Sequence, residues 1–195
     1  MAVDLLLIVM RRLPTAGRAL FVALVMGLVS LLIGYGTGLR FNFSRSLPLG
    51  LYRVVNRPVE RGAYVRFCPA HTGAIALALE RGSLHGGGVC DEGYRPMLKR
   101  VAAVAGERVS VRDDGVWVEG RRLPLSAPLR ADAAGRPMPR PAPVSSRLAS
   151  SQLWVMSDTN PYSFDSRYFG AIDRAWVLDV LEPVMTWGPD GHGAG

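Results

Sequence analysis

The stretch Asn42-Phe43-Ser44-Arg45-Ser46-Leu47-Pro48-Leu49-Gly50-Leu51-Tyr52 follows directly on a long uncharged apolar run. It contains two serines one residue apart, followed by Pro48 and Gly50, two residue types that interrupt regular structure and form turns. A rigid turn can aim a serine hydroxyl at a substrate, and this makes Ser46 a candidate nucleophile. An ordinary loop leaving a membrane helix has a similar composition, so the rest of the chain has to decide between the two interpretations.

The apolar run covers residues 19–39, between Arg18 and Arg40, and contains no charge. As a helix it would extend about 31 Å, close to the thickness of the hydrocarbon core of a bilayer. A cleaved signal peptide is the alternative, but the run is long for one and no clear Ala-x-Ala site follows it. We therefore predict a single uncleaved transmembrane anchor.

The anchor divides the chain into parts. We expect a cytoplasmic N-terminus at 1–18, a transmembrane anchor at 19–39, a catalytic domain at 40–187 and a disordered tail at 188–195.

The chain carries a net charge of +7, and Lys99 is the only lysine among its 23 basic residues. The positive charge is spread thinly, without a Lys/Arg block or zinc-finger spacing, so we expect no nucleic-acid partner. Arginine keeps its proton at any physiological pH, whereas lysine can lose it. Lys99 is therefore the basic residue to consider for chemistry.

Short β-rich runs and turn residues predict a mainly β domain. Residues 126–146 hold five prolines and predict a loop or insertion. The predicted elements are strands at Leu51–Val55, Ala63–Phe67, Met97–Val104, Leu153–Met156 and Trp176–Leu181, a short helix at Thr72–Arg81, and a hairpin around Asp113-Asp114-Gly115.

A serine nucleophile needs a base. The three histidines His71, His85 and His192 stand in no catalytic sequence context. Lys99 lies within an apolar run, where desolvation would lower the pKa of its amine and allow it to accept a proton. The alternative is a lysine whose ammonium reaches the surface.

A third polar stretch, residues 157–170, follows a predicted strand and ends in glycine. Asp165 and Arg167 could pair through two parallel hydrogen bonds, and Ser163 could hydrogen-bond an amine. We expect Asp158, by contrast, to have no such matched partner. The alternative is a surface turn with a weak ion pair.

Cys68 and Cys90 match no zinc motif. They could form a disulfide in an oxidising compartment, contributing about 3 kcal/mol of stability, or they could be two unrelated buried thiols. A disulfide would place the domain outside the cytoplasm.

Three stretches in this order resemble the boxes of type I signal peptidases. They are Ser44-x-Ser46 with Pro48, Leu98-Lys99-Arg100-Val101-Ala102-Ala103-Val104-Ala105-Gly106-Glu107, and Ser163-x-Asp165-Ser166-Arg167-Tyr168-Phe169-Gly170. The form Ser-x-Pro-x-Gly-x-Tyr at 46–52 is similar to the TraF-like branch of conjugative transfer systems. The chain differs from the broader pattern at Leu47, Pro48, Ser157 and Asn160.

The resemblance implies a role for each of these residues. Ser46 would be the nucleophile and Lys99 its general base. Ser44 would help to bind the oxyanion, together with the backbone N–H near Ser46. Ser163 would orient Lys99, and Asp165 with Arg167 would brace that segment. The fold implied is a signal-peptidase-like antiparallel β domain behind one N-terminal transmembrane helix.

We accordingly predict a serine endopeptidase with a Ser/Lys dyad, needing neither metal nor organic cofactor, in the inner membrane with its catalytic domain on the periplasmic or extracytoplasmic side. Its expected partners are the lipid bilayer and a membrane-inserted, pilin-like precursor, which it would cut and could also cyclise. The alternative is a non-catalytic, membrane-anchored assembly protein of a conjugation or secretion channel, which would need no deprotonated lysine.

Overall fold

A computed structural model of the chain describes residues 14–132, 134–139 and 145–187. Its first element, helix α1 (Thr15–Gly36), contains one charged residue, Arg18. The helix has a mean hydropathy of 2.3 over its most apolar 18 residues, and it is long and apolar enough to cross a membrane. It overlaps the predicted anchor at 19–39. The predicted N-terminal segment is covered only from residue 14, and the predicted tail at 188–195 lies outside the described residues.

The chain divides after Arg40 into a unit that contains α1 and a larger unit that begins at Phe41. Most of the regular secondary structure in the described chain after α1 is β, which confirms the predicted mainly β class. The strands are β1 (Leu39–Asn42), β2 (Leu49–Val55), β3 (Tyr64–Phe67), β4 (Met97–Ala103), β5 (Arg108–Arg112), β6 (Gly115–Val118), β7 (Arg121–Arg122), β8 (Ser145–Arg147), β9 (Gln152–Met156), β10 (Ile172–Asp173) and β11 (Val177–Trp187).

Two mainly antiparallel sheets result. The seven-stranded sheet has the order β1-β2-β11-β3-β4-β9-β10, and the four-stranded sheet has the order β7-β6-β5-β8. The remaining elements are the helices α2 (Gly73–Glu80) and α3 (Ser166–Phe169) and two 3-10 turns, Asp91–Gly93 and Arg174–Trp176.

Strand β9 explains why the sequence shows a continuous apolar run there. Leu153 and Val155 pack into a core that includes Val65 and Phe67 of β3. The alternate residues Trp154 and Met156 pack into a second core with the valines of the β5–β6 hairpin. Successive side chains of a strand point to opposite faces, so a strand between two cores is apolar at every position.

The predicted hairpin at Asp113-Asp114-Gly115 is confirmed, with Arg112 of β5 opposite Gly115 of β6. Strand β11 extends beyond the predicted Trp176–Leu181. It continues to Trp187 because its second half pairs with β2, and Pro183 is accommodated where the register shifts. At that end a Cβ on Gly50 would lie 2.3 Å from the carbonyl oxygen of Met185, so only glycine permits the close approach.

Candidate active site

The nucleophile turn, residues 42–52, is organised by the buried side chain of Asn42 at the end of β1. Its amide nitrogen lies 3.0 Å from the carbonyl oxygens of Ser44 and Pro48 and 3.3 Å from that of Leu47. Its amide oxygen accepts the N–H of Ser44 at 2.9 Å. One side chain thus holds both limbs of the turn and determines where Ser46 points.

Tyr52 supports the same turn from β2. Its side chain is fully buried, and its hydroxyl donates to the carbonyl of Pro48 at 2.7 Å. Burial, with a smaller contribution from Tyr64, raises the pKa of Tyr52, so the phenol stays protonated and remains a donor. Pro48, fixed in this way, precedes the first residue of β2.

Ser46 and Lys99 meet at this turn. The Nζ of Lys99 lies 2.6 Å from the Oγ of Ser46, although the two residues are 53 positions apart in the chain. Lys99 lies in β4 on the buried face that also carries Met97 and Val101, whereas its neighbour Arg100 points to the exposed face. Strand alternation therefore directs the only lysine of the chain into the interior.

Burial also changes the protonation of this lysine, whose exposed fraction is 3%. Desolvation lowers the pKa of Lys99 to about 8, against an opposing contribution from the carboxylate of Asp165. At pH 7 about one amine in ten is then neutral, far more than for an exposed lysine. A neutral amine 2.6 Å from a serine hydroxyl can accept its proton.

Ser44 contacts the backbone of Ser46. Its Oγ accepts the backbone N–H of Ser46 at 3.2 Å. The two groups predicted to bind an oxyanion are therefore adjacent and bonded to each other. A carbonyl oxygen that entered between them would take the N–H of Ser46 and the hydroxyl hydrogen of Ser44 together.

The structure places Ser163 against Ser46. Its Oγ lies 3.4 Å from the Oγ of Ser46, and no hydrogen bond to Lys99 is found among the described contacts. The predicted function of Ser163 in orienting the lysine would therefore act through Ser46, which both groups contact.

Asp165 and Arg167 form the predicted two-bonded pair, with no exposure of either side chain. The Nε and Nη2 of Arg167 donate to the two carboxylate oxygens of Asp165, each at 2.8 Å. The remaining Nη1 donates to the carbonyls of Leu125, Ala127 and Pro161. Asp165 also accepts the N–H of Ser157 at 3.2 Å, so the pair ties the segment carrying Ser163 to the end of β9.

Asp158 corrects an expectation from the sequence. Its Oδ2 lies 2.6 Å from the Nη1 of Arg100, so it does have a cationic partner. Arg100 is far from Asp158 in the sequence, and pairing between β4 and β9 brings the two together. The side chains are 45% and 29% exposed, and such a pair contributes little to stability.

A cavity of about 420 Å³ opens beside the nucleophile, and Ser46 and Ser163 are among its lining residues. A second cavity, of about 330 Å³ near Arg61 and Leu123, contacts neither Ser46 nor Lys99. Within the described part of the chain, no group of His, Cys, Asp and Glu is arranged to hold a metal ion.

Cys68 and Cys90 form a disulfide with a Cα–Cα distance of 5.5 Å. It joins the residue after β3 to the residue before the first 3-10 turn. Both cysteines belong to the larger core, where Cys90 is 5% exposed.

Sequence reasoning missed Asn42, Tyr52 and the part that the loop at 126–139 has in the site. Asn42 and Tyr52 flank the serine motif, so the signal was present, but neither residue type identifies a hydrogen-bond partner by itself. The loop itself was predicted, but its part in the site could not be recognised because its contacts are with residues distant in sequence.

Comparison with known proteins shows the family of the chain. The family model described as "Signal peptidase, peptidase S26" matches residues 14–185. The chain therefore belongs to the signal peptidase family, peptidase S26, a family of peptidases.

Within that family the chain falls in the TraF branch. It is 48% identical to the Plasmid transfer protein TraF of Escherichia coli, over 84% of this chain and 93% of that protein. It is 35% identical to the Conjugal transfer protein TraF of Agrobacterium fabrum, over 93% of this chain and 97% of that protein. A crystal structure of a signal peptidase I from Enterococcus faecalis matches with a TM-score of 0.39 and 22% identity, covering 66% of this chain and 99% of that one.

Proposed function

We propose that this protein is a membrane-anchored serine endopeptidase in which Ser46 is the nucleophile and Lys99 the general base. The observation that carries the proposal is the 2.6 Å contact between the Nζ of Lys99 and the Oγ of Ser46, with the lysine buried. A nucleophile in reach of a base whose pKa is lowered by its surroundings is the arrangement that covalent catalysis requires.

In the first half of the reaction, the Oγ of Ser46 attacks the carbonyl carbon of the scissile bond while its proton passes to the Nζ of Lys99. The electron pair of the carbonyl moves to its oxygen, which accepts hydrogen bonds from the N–H of Ser46 and the hydroxyl of Ser44. The intermediate then collapses, the C–N bond breaks, and the ammonium of Lys99 protonates the leaving amine. An acyl ester on Ser46 remains.

In the second half, neutral Lys99 takes a proton from an incoming nucleophile, which attacks the carbonyl carbon of the ester. The C–Oγ bond then breaks, and the ammonium of Lys99 returns the proton to the Oγ of Ser46. Water as this nucleophile gives a carboxylic acid. An amine of the substrate itself gives a new peptide bond and hence a cyclic product. The same base serves both outcomes, so the choice depends on which nucleophile reaches the ester first.

The substrate we propose is a membrane-inserted, pilin-like precursor, because the relatives at 48% and 35% identity are named as plasmid and conjugal transfer proteins. We further propose that α1 anchors the protein in the inner membrane with the catalytic domain on the periplasmic side. The Cys68–Cys90 disulfide supports this side, since disulfides persist in oxidising compartments.

The test uses the full-length protein, produced with a pilin precursor, and the variants Ser46→Ala, Lys99→Arg and Lys99→Met. All three should abolish processing while membrane insertion is retained. Lys99→Arg is the sharpest, because it keeps the positive charge but cannot give up its proton. Mass spectrometry of the intact protein should show that an activated ester of a peptide acylates Ser46 in the wild type only. Normal processing by Lys99→Arg would contradict the general-base assignment, and normal processing by Ser46→Ala would favour a non-catalytic assembly protein.

A further inference from the structure

The cavity beside Ser46 is a groove lined by several parts of the chain. Arg45 and Ser46 of the nucleophile turn line it together with Ser163. The described part of the proline-rich loop contributes a loop wall formed by Leu129, Asp132, Ala134, Arg136 and Met138. The volume of about 420 Å³ lies within the range of ligand sites. A substrate bonded to Ser46 would therefore contact this loop, whose function the sequence left open.

Hydrogen bonds hold the loop wall to the rest of the site. Arg167 binds the carbonyl of Ala127, and the hydroxyl of Tyr168 accepts the N–H of Leu129 at 3.0 Å. Beyond Asp132, the Nη1 of Arg81 donates to the carbonyl of Pro137 at 2.7 Å. The loop wall therefore depends on Arg167, the buried arginine that also braces the segment carrying Ser163. Its side chains face the groove from a defined position.

The charges that line the groove do not balance. Its lining contains one carboxylate, Asp132, and two guanidinium groups, Arg45 and Arg136. Asp132 already receives the Nε of Arg136 at 2.7 Å, lies 3.7 Å from Arg81, and accepts the N–H of Ala134. Arg45 is exposed, and within the described residues it has no hydrogen bond or ion pair. An unpaired cation thus lies directly before the nucleophile.

We propose that this groove binds a carboxylate of the substrate, held by Arg45 with the help of the Nη groups of Arg136. The inference rests on the proposed peptidase function and adds a substrate class to it: a peptide with an acidic group within a few residues of the bond that is cut. The carboxylate is either a side chain or the C-terminus of the precursor. Leu129, Met138 and Phe164 line the same groove and would receive neighbouring apolar side chains.

Binding and cutting are measured separately, so that the carboxylate site and the peptidase function can fail independently. Full-length Ser46→Ala protein in detergent micelles is titrated with fluorescent peptides that differ only in charge. One series carries a single Glu at successive positions with an amidated C-terminus. A second carries Gln with a free C-terminus, and a third carries Gln with an amide and has no carboxylate.

We expect one of the first two series to bind about fivefold more tightly than the third at low salt. A preference for Glu at one position identifies a side chain, and a preference for the free terminus identifies the C-terminus. In Arg45→Gln the preference should disappear, and in Arg45→Glu it should shift to a peptide with Lys at the same position. The matched control is Arg53→Gln, since the side chain of Arg53 is also exposed to solvent but does not line the groove.

Equal binding of all three series, including no binding at all, would overturn the proposal, as would a preference that survives Arg45→Gln. Cleavage of the same peptides by the protein with Ser46 intact reports on the peptidase function. An Arg45-dependent binding preference without any cleavage would support the carboxylate site and contradict the proposed endopeptidase activity. Cleavage without a preference would do the reverse.

Discussion

Lys99 shows how one position in a strand determines the chemistry of a side chain. An arginine at the same place would keep its charge, and a lysine one residue later, in place of Arg100, would lie on the exposed face. At position 99 the amine is desolvated, and the pKa of Lys99 falls to about 8. The depressed pKa makes the amine useful as a base, and it also makes any activity dependent on pH.

We expect kcat/KM to rise about tenfold per pH unit below pH 8 and to level off above it, because only the neutral amine can accept the proton of Ser46. The lysine returns the proton that it has taken, so it contributes no falling limb at higher pH. Protein labelled with ¹³C-lysine should give a single side-chain signal, since Lys99 is the only lysine, and the signal should titrate near the same pH. A midpoint near 10.5 would mean that the amine is solvated and would contradict the assignment.

We expect Asn42 to act as a positioning residue that holds the nucleophile turn, and a single substitution tests this. In Asn42→Ala the carbonyls of Ser44, Leu47 and Pro48 lose a donor, and the nucleophile turn is free to move. We expect kcat to fall roughly 100-fold with a smaller change in KM, since misplacement by about 1 Å costs that much. Asn56→Ala is the control, because Asn56 is exposed. A variant with unchanged kcat would show that Tyr52 alone maintains the turn.

At the scale of elements, the groups that we propose for catalysis are carried by parts of the chain that hold one another in place. The turn after β1 presents Ser46, strand β4 presents Lys99, and the segment after β9 presents Ser163. The Asp165–Arg167 pair joins this last segment to the end of β9 and, through the carbonyl of Ala127, to the proline-rich loop. Loss of the pair would therefore disturb both the catalytic segment and the wall of the groove.

Asp165→Ala should be far more damaging than Asp158→Ala, even though both carboxylates have an arginine partner. Removing Asp165 leaves the guanidinium of Arg167 buried and unpaired, which costs about 3–5 kcal/mol. Removing Asp158 leaves Arg100 in solvent, at a cost of about 1 kcal/mol or less. Thermal unfolding in detergent and precursor processing at matched protein levels measure the two effects. Equal losses would mean that burial of the pair is unimportant.

At the scale of the whole molecule, two hydrophobic cores and one disulfide organise the β domain. Strand β9 contributes side chains to both cores, one core on each of its faces. The Cys68–Cys90 disulfide closes the stretch of chain that contains α2, an element of eight residues that would be marginal by itself.

Protein extracted from its native membrane in the presence of an alkylating agent, without reductant, should show no modified thiol by intact mass. Reduction should lower the free energy of unfolding by about 3 kcal/mol, because the unfolded chain is then no longer constrained. Cys68→Ser with Cys90→Ser should show the same loss and no further effect of reductant. Two alkylated thiols in the native extract would argue against an oxidising compartment.

The sequence by itself determined what depends on neighbouring residues. Alternation and Asp-Gly punctuation predicted the β5–β6 hairpin, and the uncharged run predicted a long apolar helix, because both signals are local. The sequence also singled out Ser46 and Lys99 by residue type and motif. The tertiary structure decided what depends on pairing between distant strands. It placed Lys99 against Ser46 and Asp158 against Arg100, and it brought the proline-rich loop beside Arg45. Such contacts follow from strand order and register, which residues far apart in the chain specify only together.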